Sequence, residues 1–149
     1  MTRTCLGAAL LLVTGCQFTS NKKQFEEWNM SVPGSRFKTI ATVAATNSPA
    51  DIRLTGQLRE QLKADGWHAV PRSGRWGSVS EAVTQICAPG EEQPVDGVLL
   101  VTYDHLVLYD CQSLTSAFEI QSSPEGGGMG LPDLTQHLID YLSGKPRKG

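Results

Sequence analysis

The chain has 149 residues, 40% of them hydrophobic, and a formal net charge of −2 at neutral pH. That length fits one domain with a real hydrophobic core. Thirteen Lys and Arg stand against fifteen Asp and Glu with no clustered basic stripe, which excludes a nucleic-acid surface.

The first segment is a leader by composition. Arg3 precedes an uncharged apolar run from Cys5 to Val13, and the small residues Thr14 and Gly15 precede Cys16. The run is too short to cross a bilayer, which needs about 20 residues, and no second apolar segment of spanning length follows. A secretion signal ends in small residues of this kind. Val13-Thr14-Gly15-Cys16 resembles the lipobox of bacterial lipoproteins. The resemblance implies removal of residues 1–15, diacylation of Cys16, and a mature chain that begins there. Loss of Arg3 then leaves 12 basic against 15 acidic residues, a balance of −3. It also implies that the partner of Cys16 is the lipid bilayer, since paired acyl chains anchor a protein far better than one. Gln17 is not the aspartate that favours inner-membrane retention in enteric lipoproteins, so the expected place is the periplasmic face of the outer membrane.

Residues 16–36 are polar and charged, with a Pro33-Gly34 turn, and read as a lipidated tether. Phe18, Phe25 and Trp28 do not suit a pure spacer: they dock on the domain or dip into the membrane interface. The globular domain is expected over 37–144. Phe37 to Thr46 is rich in β-branched residues and predicts a strand. Ser48-Pro49 opens a helix running to about Asp65, with Ile52, Thr55, Leu58 and Leu62 on one face. Gly66 closes it as a left-handed cap. Trp67 to Pro71 is a short strand ended by its proline. Ser78 and Glu81 form a capping box for a second helix with Val79, Ala82, Val83 and Ile86 inward. Val98 to Val101 is an unbroken apolar run of the kind buried on both faces of a sheet, and the chain stays extended to Tyr109. A turn at Gln112-Ser113 leads to a strand over Thr115–Gln121. A glycine-rich connection, Ser122 to Gly130, precedes a last amphipathic helix, Pro132 to Leu142, carrying Leu134, Leu138, Tyr141 and Leu142. Residues 145–149 are a basic tail, read as a solvated terminus.

The order is therefore βαβαββα: an α/β (α+β) domain with about three helices on a mixed sheet of three to five strands, the first crossover right-handed and its strands parallel. Val95 to Val101, Leu106 to Asp110 and Ala117 to Ile120 resemble the corresponding strands of TolB-type amino-terminal domains, CsgG-like proteins and lipoprotein activators of penicillin-binding proteins. The resemblance implies the same small α/β fold.

Cys87 and Cys111 remain after Cys5 leaves with the leader and Cys16 takes lipid. An even pair in an exported chain can form a disulfide. If Val98 to Tyr109 is one continuous strand, Cys111 lies at the far end from Cys87; if the chain turns near Asp104-His105, the two return to one end. Tyr103, His105 and Tyr109 alternate on one strand face and form a candidate partner-binding face. His105 lacks the converging ligands of a zinc site, and the Gly126–Gly130 run lacks the Lys-Ser/Thr of a phosphate loop. No nucleophile with its base, no metal set and no cofactor motif is nominated. The expectation is a non-enzymatic, lipid-anchored envelope protein acting through protein partners in envelope assembly or maintenance. The alternative is a small-ligand or metal-binding module.

Overall fold

The computed structural model describes residues 24–90, 92–122 and 131–145. The leader, Cys16, the Gly126–Gly130 run and residues 146–149 lie outside them. The strands are β1 (Gln24–Trp28), β2 (Thr39–Ala44), β3 (His68–Pro71), β4 (Gly97–Thr102), β5 (His105–Asp110) and β6 (Thr115–Ser122). The helices are α1 (Pro49–Ala64), α2 (Val79–Cys87) and α3 (Leu131–Leu142), with a 3-10 turn at Gly34–Arg36. The strands form one mixed sheet in the order β1-β6-β5-β4-β2-β3. No described helix is long and apolar enough to cross a membrane.

The local signals act as read. Ser48 Oγ accepts the Asp51 amide at 3.1 Å and Pro49 takes the first helical turn of α1. Gly66 has φ +104°, the left-handed exit that glycine adopts without steric cost. Ser78 Oγ accepts the Glu81 amide at 3.1 Å, while Glu81 reaches back to the Gly77 amide at 2.7 Å. The α1 crossover sets β2 and β3 parallel, pairing Thr39 with His68 and Ile40 with Ala69.

The sheet has six strands rather than three to five, and the extra strand comes out of the expected tether. β1 pairs antiparallel with β6, Gln24 opposite Ser122 and Trp28 opposite Phe118. Behind it Val32 and Gly34 are buried. A Cβ on Gly34 would lie 1.9 Å from the Tyr141 carbonyl oxygen, so only glycine lets this turn sit on α3. Trp28 meets Tyr141 edge-on at 5.4 Å between ring centroids. Residues 24–36 are thus part of the domain; a ring this large seats against the core because burial outweighs the polarity of its neighbours.

The second correction concerns the expected extension to Tyr109. Thr102 pairs with His105 across a two-residue turn at Tyr103-Asp104, which divides that run into β4 and β5.

Two apolar layers result. α1 and α3 cover one face, packing Leu58, Leu62, Leu134, Leu138 and Tyr141 on Ile40, Leu99, Leu108, Phe118 and Ile120. α2 covers part of the other, with Val83 on Val43 and Val98. Ile52 and Val79 are not inward: they are 55% and 47% exposed. The buried stripe of α1 runs through Asp51, Thr55, Leu58 and Leu62 instead. The buried Asp51 carboxylate is satisfied by Thr46 Oγ1 at 2.6 Å.

Candidate functional site

α1 and α3 do not close fully on each other. Between them lies a cleft of about 560 Å3, lined by Leu54, Gln57 and Gln61 of α1, Pro132, Gln136 and Ile139 of α3, and Tyr103 of the β4–β5 turn. Leu54, Gln57 and Gln61 share one side of α1 because positions three and four apart are neighbours on a helix. Leu58 and Thr135 complete the lining. The described lining holds no carboxylate, histidine, lysine, arginine or cysteine; it offers apolar contact, the amides of three glutamines and the hydroxyls of Tyr103 and Thr135. Tyr103 stands at its mouth, 60% exposed.

Of the three residues expected on one face, His105 and Tyr109 stay together on one face of β5, both near Glu119, and Tyr103 is parted from them. The turn falls between Tyr103 and His105 and breaks the alternation. Tyr103 belongs to the cleft. His105 lies in β5 with its ring nitrogen 2.7 Å from a Glu119 carboxylate oxygen across the β5–β6 pair. Tyr109 packs into the α2 layer beside Leu100, Ile86 and Cys111. Burial raises its phenol pKa, and the nearby Glu119 carboxylate raises it further. Leu54, Gln57, Gln61, Gln136 and Ile139 were not singled out from the sequence, where nothing local marks a residue for a groove between two helices.

Cys87 and Cys111 form a disulfide, with Cα atoms 5.2 Å apart. The Tyr103-Asp104 turn makes this possible, because it returns β5 to the end of the sheet where α2 finishes. The bond ties α2 to the β5–β6 turn, next to Asp110. The Asp110 carboxylate is fully buried and accepts from Arg36 Nη1 at 2.8 Å, Ser113 Oγ at 2.9 Å and the Gln112 and Ser113 amides at 3.3 Å. A buried charge persists when paired and hydrogen-bonded in this way, and Asp110 serves the fold by fixing residues 34–36 to that turn. Among the described residues no three His, Cys, Asp or Glu side chains converge as a metal site.

No family model matches the chain, and no curated protein matches it. Among the solved structures similar to the chain are two PelC assemblies. One is a PelC variant dodecamer from Paraburkholderia phytofirmans, 12% identical, covering 84% of this chain and 98% of that chain with a TM-score of 0.43. The other is the PelC dodecamer from the same organism, 12% identical, covering 83% and 98% with a TM-score of 0.40. Likeness of this degree assigns the chain to no family and to no activity.

Proposed function

We propose that this chain is a lipid-anchored protein of the bacterial envelope that acts without catalysis, by holding a protein partner in the α1–α3 cleft. The lining of that cleft carries the reading. Apolar side chains rimmed by three glutamines suit an apolar side chain flanked by peptide groups. The Val13–Cys16 lipobox supports anchoring through Cys16. The Cys87–Cys111 disulfide supports export, since such bonds persist in oxidising compartments. Gln17 favours the outer membrane. The small α/β fold of TolB-type, CsgG-like and activator lipoprotein domains, resembled by Val95–Val101 and its following strands, belongs to the same proposal.

The test uses the full-length protein in its native membranes. A photo-crosslinking side chain at Gln136, exposed on α3, captures a discrete partner band, and Leu54→Arg in the cleft abolishes it while the protein stays folded. Capture that survives Leu54→Arg rejects the cleft. Cys16→Ser releases the protein from the membrane fraction, and its retention there rejects the anchor.

A second reading rests on the size of the cleft. About 560 Å3 falls within the range of small-molecule sites, roughly 300–1,000 Å3. An apolar ligand at a hundred times its dissociation constant would add about 2.7 kcal/mol to stability. A thermal-shift screen that finds no such gain, beside a captured protein, decides for the partner.

A further inference from the structure

The end of the sheet at which β1 starts sets an orientation. Gln24 opens β1 opposite Ser122, the last residue of β6. The Ser122 amide donates to the Asp104 carbonyl at 3.0 Å. Asp104 follows Tyr103 in the turn, and Tyr103 and Pro132 both line the cleft. The entry of the chain, the Tyr103 turn and one mouth of the cleft therefore share one end of the domain. Met30, 75% exposed, lies beyond the other end of β1.

Eight peptide steps separate Cys16 from Gln24. Stretched fully they reach at most about 28 Å. A domain of this size is about 35 Å across. With residues 24–36 built into the fold, the leash is far shorter than a twenty-residue tether, and it leaves from the Tyr103 end.

We propose that the Tyr103 end of the domain rests against the bilayer interface, with the Tyr103 ring among the lipid headgroups and the cleft opening beside them. This rests on the reading of Cys16 as the anchor. A tyrosine suits that depth because its ring is apolar and its hydroxyl stays hydrated.

The test reconstitutes acylated full-length protein into phosphatidylcholine vesicles whose acyl chains are brominated near the headgroup end. Tyr103→Trp and Met30→Trp each add one indole, at opposite ends, to the three native tryptophans. The added emission of Tyr103→Trp is quenched by the brominated lipid and that of Met30→Trp is not, with circular dichroism confirming that both are folded. Equal quenching of the two, or none at Tyr103→Trp, overturns the orientation while leaving the anchor intact. Flotation separates the two failures: if the unsubstituted acylated protein does not float with the vesicles, the anchor reading fails and the orientation with it.

Discussion

Tyr141 shows how one residue joins three parts of the molecule. Its ring stacks on Phe118 with centroids 5.4 Å apart, and its hydroxyl donates to the Val32 carbonyl at 2.5 Å. Burial first, and the Asp110 carboxylate second, push the phenol from 10.0 up to about 12, against a smaller opposing pull from Arg36. The folded pKa is raised, so the contribution of the protonated phenol is complete below pH 10 and is lost as pH rises towards about 12. Tyr141→Phe is expected to cost about 1–2 kcal/mol at neutral pH, by leaving the Val32 carbonyl unpaired, and to flatten the alkaline loss; urea titrations at several pH values read both. Leu114 is a second informative residue. It holds φ at +61° in the β5–β6 turn, where a side chain crowds the backbone. Leu114→Gly relieves a cost of about 1–2 kcal/mol, partly offset by the greater freedom of glycine in the unfolded chain, so a small net rise in Tm is expected.

At the scale of elements, the helices were the most legible part. Ser48, Pro49, Gly66, Ser78 and Glu81 act within one turn of their own positions, so no distant contact decides them. The hairpin at Tyr103-Asp104 was legible only as one of two alternatives, a turn near Asp104-His105. Its two turn residues keep negative φ and lack the Asn-Gly or Asp-Gly pattern that marks such turns, so Val98 to Tyr109 reads equally as one extended strand. The disulfide depends on that hairpin, which is why spacing alone left Cys87 and Cys111 undecided. Replacing both by serine removes the cross-link on a loop of 24 residues separation and is expected to cost about 3 kcal/mol. Calorimetry of the double variant checks it, and a negligible change would mean that α2 is held by Val83 and Ile86 alone.

For the whole molecule, residues 24–36 are the decisive addition. Their removal would strip Trp28, Val32 and the Arg36–Asp110 pair from the core, exposing Phe118 and Tyr141. A chain starting at Phe37 is expected to lose its cooperative unfolding transition, whereas Tyr103→Ala, at an exposed turn, should change stability by no more than about 0.5 kcal/mol; denaturant melts distinguish the two. The sequence by itself determined the α/β class, the three helices, the caps of α1 and the N-cap of α2, the parallel β2–β3 crossover and the inward face of α3, because periodicity and capping are encoded over a few neighbouring residues. Only the tertiary structure decided that β1 completes the sheet, that Tyr103 parts from His105 and Tyr109, and that α1 and α3 leave a cleft. Each of those depends on which surfaces meet across long stretches of chain, and a polar-looking strand or a glutamine-lined groove carries no local mark of the partner that gives it its place.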